Sequence, residues 1–364
     1  MTGSSEGASR FGDFLGNLRR VEFSNFRLFY GLKMGLFMMA LLTIGLVFNH
    51  EVIFATLGTL FIAGTAMLVL EKQRSQRSKI NTLVIISVIN ALTFTIGSVV
   101  ATTGFLAVPL SALVLFLLSY AEVFPNSIVF IACLTFSVGI GQSGGDSIAI
   151  GERFLLVIIG GLWGILGSII PIPYSITKPK PEAEYISSQL PHTKVTYKER
   201  LKPLLSNLSL RSESFRFALT LAATGAIGLL IAVDLGLQKQ YWVLITICII
   251  FLRANISTIF SFIFMRIIGT IAGAAIASVI TTYLNIPGLL LAFVFPFATM
   301  HLATSRVNYI LATFLLTTFM LVLLNILSTG PTLLAQTRIL DTVIGAALAL
   351  AGLFVLWRVS RWKS

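Results

Sequence analysis

Hydrophobic residues in this chain are grouped in blocks of about 17–25 positions, and short polar turns separate the blocks. A helix of that length is long enough to cross the hydrocarbon core of a bilayer. The pattern therefore predicts an all-α integral membrane protein with about twelve transmembrane helices. The predicted spans are residues 27–49, 51–71, 80–101, 104–121, 123–142, 150–172, 214–235, 239–257, 259–283, 286–302, 306–328 and 335–357.

The sequence also contains an internal repeat. Phe26-Arg27 aligns with Phe215-Arg216 at an offset of 189 residues, and Arg153 aligns with Arg338 at an offset of 185 residues. A repeat of this length is a whole bundle of six helices, and an even number of spans returns the chain to the same side of the membrane. We therefore expect two parallel six-helix repeats, related by a pseudo-twofold axis along the membrane normal, with a pathway between them.

Polar residues divide the chain into four parts. Residues 1–26 carry apolar side chains at helical spacing beside arginines, which predicts an amphipathic segment at the cytoplasmic interface, with a frayed basic tail as the alternative. Residues 173–213 are predicted to be a cytoplasmic linker that contains a second amphipathic helix. The first six-helix repeat is assigned to residues 27–172 and the second to residues 214–364.

The charge distribution predicts the orientation in the membrane. The chain has 364 residues, of which 56% are hydrophobic and 11% charged, and its net charge is +12. Of its 26 Lys and Arg residues, all but Arg153, Lys239 and Arg338 fall on the side of the termini in the twelve-span topology. This asymmetry predicts cytoplasmic termini in a multi-pass protein of the cell (inner) membrane. The basic residues therefore indicate topology and contact with anionic lipid, and no nucleic acid partner is expected.

The sequence shows no constellation typical of catalysis or of a cofactor site. Walker A spacing is absent, so ATP hydrolysis by this chain is not expected. Cys133 and Cys248 lie in separate apolar spans without metal-ligand spacing, and the three histidines are scattered. We therefore expect a protein that is not an enzyme and that has neither a metal nor a cofactor.

Charged residues inside the spans are candidates for function, because a charge costs about 2.5–3.5 kcal/mol at the bilayer centre. Arg338 and Asp341 stand three residues apart near the start of the last span and share a helix face. Glu152 and Arg153 take the equivalent place in the first repeat. Two interpretations stay open: an arginine in each repeat that coordinates an anion beside a carboxylate, or an ion pair that fixes the helix ends.

Three further basic residues are expected near cytoplasmic ends of spans. Arg266 and Lys33 lie about seven residues inside their spans, at a depth of about 10 Å, and Arg253 lies near the mouth of the same region. Their side chains can extend to the interface between lipid and water. Alternatively, they line a cytoplasmic vestibule whose positive potential concentrates organic anions.

Titratable residues in or beside the spans are candidates for proton coupling. Besides Asp341 and Glu152, these are Glu51 at an outer span end and His301 at a cytoplasmic one. The repeat position of Glu51 is Gln240, which does not titrate, so coupling through Glu51 would be asymmetric. An exposed loop acid and a hydrogen-bonded interfacial histidine are the alternatives for these two residues.

Small residues recur at a spacing that favours close helix packing. Gly160 and Gly164 form a G-x-x-x-G pattern in the first repeat, and Gly269 and Gly273 form another in the second. Gly345 aligns with Gly160 in the repeat. Because small residues let helix backbones approach in lipid, we interpret these glycines as packing seams.

The second repeat resembles a known membrane protein family. Its characteristic segments, in order, are Phe215-Arg216-Phe217-Ala218-Leu219, Tyr241-Trp242-Val243-Leu244, Arg266-Ile267-Ile268-Gly269-Thr270-Ile271-Ala272-Gly273 and Arg338-Ile339-Leu340-Asp341-Thr342-Val343-Ile344-Gly345. This order resembles the fusaric acid resistance (FUSC) or aromatic acid exporter family, to which plant aluminium-activated malate transporters are similar. The resemblance implies two six-helix units that expel aromatic carboxylates, generally without ATP. The first repeat shares it only through the internal alignment.

The resemblance and the intramembrane arginines together predict secondary, proton-driven efflux of organic anions such as aromatic carboxylates. The expected partners are small organic anions and the lipid bilayer. A passive anion channel of the malate-transporter type and a membrane scaffold without transport activity are the alternatives. The sequence leaves undecided whether the chain forms a homo-oligomer, and it gives no basis for inferring a periplasmic adaptor protein.

Overall fold

Twelve α-helices make up most of the described part of the chain, in the order that the hydrophobic blocks predict. The computed structural model describes residues 27–47, 53–72, 76–120, 126–141, 150–170, 208–209, 212–237, 239–253, 259–284, 286–327 and 331–361. The helices are α1 Leu28–Val47, α2 Ile53–Lys72, α3 Gln76–Ala101, α4 Ala107–Tyr120, α5 Asn126–Ile140, α6 Ile150–Ile169, α7 Glu213–Asp234, α8 Tyr241–Arg253, α9 Ile259–Tyr283, α10 Pro287–Thr304, α11 Tyr309–Leu327 and α12 Pro331–Arg361. The predicted segment 1–26 and most of the linker 173–213 lie outside the described residues.

The lengths of these helices suit a membrane protein. Seven of them, namely α1, α3, α6, α7, α9, α11 and α12, are long and apolar enough to cross a bilayer. The apolar stretches of α2, α4, α5, α8 and α10 are shorter. No strand occurs in the ranges given above. The prediction of an all-α, multi-pass membrane protein is therefore confirmed.

Local sequence signals set several helix ends. The Ser212 hydroxyl accepts a hydrogen bond from the main-chain N–H of Phe215 and so caps the start of α7. Pro287 and Pro331 each occupy the first position of a helix, where the missing N–H has no helical partner to lose. Gly236 follows α7 with a φ of 62°, a conformation that glycine adopts without strain.

The helices form two compact units, which share α1 and α12. Unit I contains α9–α11, α1 up to Leu36 and α12 up to Ala346. Unit II contains α2–α7, α8 up to Leu252 and the remainder of α1 and α12. The units differ from the predicted repeats, since α7 and α8 follow the linker and yet fall in unit II. The two-repeat organisation of the whole chain stays a prediction.

In unit II, α2, α3 and α6 pack on one another, and α5 packs on α3. Two hydrophobic clusters lie between α2, α3 and α6, and we call them the upper and the lower cluster. The upper cluster contains Phe54, Ala91, Phe94 and Val157, and the lower cluster contains Ile62, Ala66, Leu83, Ile86 and Ile165.

In unit I, α11 packs on both α9 and α10. The Thr318 hydroxyl donates a hydrogen bond to the main-chain oxygen of Gly273 over 3.2 Å. The start of α1 packs on α10, where the Arg27 N–H donates to the Ala303 oxygen over 3.1 Å. These contacts require small residues, because a Cβ added to Gly31 would lie 2.3 Å from the Thr299 oxygen.

The first helix of each predicted repeat therefore packs on a helix of the other repeat. In unit I, α1 packs on α10, which is the fourth helix of the second repeat. In unit II, α7 packs on α4, the fourth helix of the first repeat, and the rings of Phe116 and Phe215 meet edge to face at 5.4 Å. This exchange explains why the two units do not coincide with the repeats.

Candidate functional site

Five charged side chains are buried inside the described helices. Their exposed fractions are 5% for Arg153, 9% for Arg216, 2% for Arg266, 7% for Arg338 and 0% for Asp341. A buried charge is costly in an apolar helix unless other groups compensate it. The surroundings of these residues therefore show where the chain is built to hold charge.

Arg266 lies in unit I, about 10 Å from the start of α9. Its Nη1 donates a hydrogen bond to the hydroxyl oxygen of Tyr309 on α11 over 3.1 Å. The Tyr309 ring stacks on Phe262 with a centroid distance of 4.2 Å. The guanidinium is thus held between two packed helices.

Arg338 and Asp341 lie on α12 in unit I, with Asp341 about 10 Å beyond Leu334, where the apolar span of this helix begins. Neither carboxylate oxygen of Asp341 has a hydrogen-bond partner among the described residues. The Arg338 charge, one helical turn away, interacts with Asp341 electrostatically. The predicted pair is therefore close in space without a hydrogen bond to the carboxylate, and both of its members are buried.

Arg153 occupies the matching position of the first repeat, on α6 in unit II. Its guanidinium carbon lies 5.4 Å from the centre of the Phe54 ring, a distance at which a cation is attracted to the ring face. Glu152, the next residue, is exposed. The carboxylate predicted to accompany Arg153 is therefore at the surface of the described structure, and the Phe54 ring lies beside the buried guanidinium.

The remaining predicted residues are less enclosed or not described. Lys33 is half-buried, and its Nζ lies 6.0 Å from the centre of the Tyr30 ring. His301 is half-buried, and its Nδ1 lies 3.0 Å from the Ala312 oxygen of α11, which can only accept the hydrogen bond. Glu51 and the side chain of Arg253 lie outside the described part of the chain.

The predicted glycines lie at helix contacts. A Cβ added to Gly160 would fall 1.8 Å from the Ala55 oxygen of α2, and one added to Gly164 would meet the Thr59 and Ile62 side of the same helix. A Cβ on Gly269 or Gly273 would fall within 2.8 Å of an α11 atom. Gly345 is buried in α12.

Sequence reasoning missed two sets of buried polar groups. Arg216 served only to align the repeats, yet it is buried and its Nη1 donates to the Val359 oxygen over 3.4 Å. Asn90 and Ser87 on α3 are also buried, and their polar side-chain atoms have no partner among the described residues. In the sequence, Asn90 is recognisable as an amide side chain in the middle of a long apolar block. It carries no formal charge, so it is not found when only charged residues are considered.

Comparison with known protein families gives a match within the second half of the chain. Residues 222–352 match the family model described as “Fusaric acid resistance protein-like”. The resemblance predicted from the sequence is thereby confirmed for this segment, which contains Arg266, Arg338 and Asp341.

Three known proteins are similar in sequence to part of the chain. It is 33% identical to the uncharacterized protein slr1298 of Synechocystis sp. over 159 residues, which are 43% of this chain and 21% of that protein. It is 29% identical to the uncharacterized protein ORF2 of Neisseria gonorrhoeae over 171 residues, 46% of this chain and 40% of that protein. It is 29% identical to the inner membrane protein YccS of Escherichia coli over 147 residues, 40% of this chain and 20% of that protein.

The chain thus spans about a fifth to two fifths of the length of these relatives. No solved structure matches it with comparable significance.

Proposed function

We propose that this protein is a secondary transporter of the inner membrane that exports organic anions, aromatic carboxylates in particular, at the expense of a proton gradient. The observation that carries the proposal is Asp341, a fully buried carboxyl group one turn from the buried Arg338 in a spanning helix. Such a pair combines an anion-binding cation with a group that can carry a proton.

The buried arginines support the choice of an anionic substrate. A guanidinium group binds a carboxylate through two parallel hydrogen bonds, and the attraction is stronger in a medium of low dielectric constant. Arg153, Arg266 and Arg338 all lie inside apolar helices and keep less than a tenth of their surface exposed. The matched family model is named for fusaric acid, a pyridine carboxylic acid, which agrees with this chemistry.

Asp341 supports the coupling to protons. The neutral form of a carboxyl group is much less costly to bury than the charged form, and neither oxygen of Asp341 is engaged by a donor among the described residues. Asp341 can therefore bind a proton in one state of the transport cycle and release it in another. The cytoplasmic location of the termini, predicted from the Lys and Arg distribution, belongs to the same proposal.

Uptake into proteoliposomes tests this function. The purified protein is reconstituted, a pH gradient is imposed at zero membrane potential, and radiolabelled benzoate is followed. Protein-free liposomes under the same gradient correct for neutral acid that crosses the lipid unaided. We expect the protein to move benzoate beyond the level reached in those controls. Flux that follows only the electrochemical gradient of the anion would indicate a channel, and no protein-dependent flux of benzoate or malate would indicate a scaffold; either result contradicts the proposal.

A further inference from the structure

The chain contains two cysteines, Cys133 in the middle of α5 and Cys248 in the middle of α8. They are far apart in the sequence, and both are fully buried in unit II. Their thiol groups nevertheless interact directly. A buried residue contacts about 6–12 others, so two given residues of a 364-residue chain meet by chance in only a few per cent of cases. The meeting of these two cysteines therefore calls for an explanation.

The register of α5 against α8 accounts for this contact. Just beyond the end of α5, a Cβ added to Gly141 would lie 2.1 Å from a ring carbon of Tyr241 at the start of α8, so the two chain segments meet there. Cys133 and Cys248 each lie about 10–12 Å from this point, back along α5 and forward along α8. In antiparallel helices these positions have the same height, which places the two thiols opposite each other.

Ser137, one helical turn after Cys133, lies beside the pair. Its hydroxyl donates a hydrogen bond to the main-chain oxygen of Cys133 over 2.7 Å, and its Oγ lies 4.0 Å from Cys248 Sγ. Because the one hydroxyl proton is used in this way, Ser137 Oγ can only accept from the Cys248 thiol. A Cys248 thiol that donates to Ser137 keeps the lone pairs of its sulfur for another partner.

Two sulfur ligands without a third fit a soft cation that prefers two-coordinate geometry. No third His, Cys, Asp or Glu joins the pair among the described residues, so the four-ligand site that structural zinc requires is not formed there. Cysteine sulfur selects Cu(I), zinc and iron–sulfur clusters. Of these, Cu(I) is the one that is stably bound by two sulfur atoms, in a linear arrangement.

The charge balance also suits a monovalent cation. Helix α5, and α8 as far as Leu252, contain no Asp, Glu, Lys, Arg or His, and a net charge is costly in apolar surroundings. If Cys133 gives up its proton and Cys248 keeps its own, one monovalent cation, one thiolate and one thiol form a neutral complex. Binding then breaks the S–H bond of Cys133 and releases one proton for each cation.

We infer that Cys133 and Cys248 form a binding site for a soft monovalent cation of the Cu(I) type between α5 and α8. Cys133 supplies a thiolate and Cys248 a thiol, and the bound cation links a helix of the first predicted repeat to a helix of the second. The inference is independent of the proposed function. It differs from the expectation of no metal site, which considered only the spacing of the cysteines along the chain.

Silver(I) is the probe, because it shares the charge and ligand preference of Cu(I) and is not oxidised by air. The full-length protein is purified in detergent with both thiols reduced and incubated with silver nitrate in a chloride-free buffer. A wash with free methionine removes silver held by methionine side chains. We expect one silver ion to remain per protein and to raise the melting temperature. Cys133→Ala and Cys248→Ala are each expected to bind silver about 100-fold more weakly, because one thiol replaces two.

The variant that lacks both cysteines gives the background. Two silver ions per unmodified protein, one of them lost in each single variant, would show two independent thiols. Silver bound equally by the double variant would place the metal elsewhere, and no retained silver would show that the pair does not bind the cation. Each of these three results overturns the inference.

A second measurement uses the unmodified protein alone and so does not depend on the folding of a variant. The protein is loaded anaerobically with Cu(I), and its copper K-edge absorption spectrum is recorded. We expect the spectrum of a cation with two sulfur ligands. A three- or four-coordinate spectrum would contradict the inference, and so would a disulfide between Cys133 and Cys248 in protein isolated without a reductant.

Discussion

Arg266 on α9 donates a hydrogen bond to the hydroxyl oxygen of Tyr309 on α11, with 3.1 Å between Nη1 and Oη. Because Tyr309 also stacks on Phe262, the position of the phenol is fixed by packing, and the phenol in turn orients the guanidinium. A buried cation is thereby oriented in part by a neutral hydroxyl group.

Removing the Tyr309 hydroxyl tests this arrangement. Tyr309→Phe keeps the stacked ring and loses the hydrogen bond to Arg266, so we expect the free energy of unfolding to fall by about 0.6–1.7 kcal/mol. We also expect a higher KM for transported anions, because the guanidinium is less well oriented. Tyr283→Phe is the control, since Tyr283 is 81% exposed at the end of α9, the helix that carries Arg266. Equal stability and KM in the two variants would contradict the role of Tyr309.

The contact of α6 with α2 depends on Gly160. A Cβ at Gly160 would fall 1.8 Å from the Ala55 oxygen, so Gly160→Val must push the two backbones apart. We expect a loss of about 1–3 kcal/mol in stability, measured as thermal unfolding in detergent. Gly151→Val is the matched control on the same helix, because a Cβ at Gly151 has no neighbour within 4 Å. A melting temperature for Gly160→Val equal to that of the control would show that α2 and α6 do not pack in this way.

The packing of α1 on α10 makes a similar prediction for Gly31. Gly31→Val places side-chain atoms against the Thr299 oxygen and Ala303, so we expect lower stability by about 1–3 kcal/mol. Gly64→Val, with open space at its Cβ, is expected to be neutral. Because this contact joins the first helix of one predicted repeat to the other repeat, a neutral Gly31→Val would argue against the exchanged helices.

The Phe54 ring is predicted to support the charge on Arg153. A cation over an aromatic face gains about 0.5–2 kcal/mol, and leucine fills much of the same space without that attraction. We expect Phe54→Leu to lower the affinity for benzoate, with Phe105→Leu as a control because Phe105 is 85% exposed. Unchanged affinity, measured by ligand-induced thermal stabilisation, would separate Arg153 from the binding pathway.

The sequence predicts the helices well because each apolar block must satisfy its backbone hydrogen bonds inside the membrane. Every one of the twelve predicted spans overlaps a described helix, and the ends agree to within four residues. The helix α12 begins four residues before its predicted span, where Pro331 is compatible with the first helical position. The packing of α1 on α10 and of α7 on α4 could not be predicted from the hydrophobic blocks. These blocks show which segments cross the membrane, but they do not determine which helices pack against one another.

The candidate site is predictable only where it carries charge. Arg153, Arg266, Arg338 and Asp341 stand out in the sequence because their burial is costly, and the structure shows them buried. The partner of Arg266 depends on how α9 meets α11, a tertiary contact that spacing along the chain does not encode. Asn90 was passed over because neutral polar residues are common in spans, and only its lack of partners within the described structure sets it apart.

The most direct test of the account is the effect of Asp341→Asn on transport driven by a pH gradient. Asparagine keeps the shape of the side chain and cannot carry a proton, so accumulation of benzoate driven by the gradient should be lost. Exchange of labelled for unlabelled benzoate at equal pH should continue, because the arginines that bind the anion are unchanged. Full gradient-driven accumulation by Asp341→Asn, at the rate of the unmodified protein, would contradict the central claim that Asp341 couples anion transport to protons.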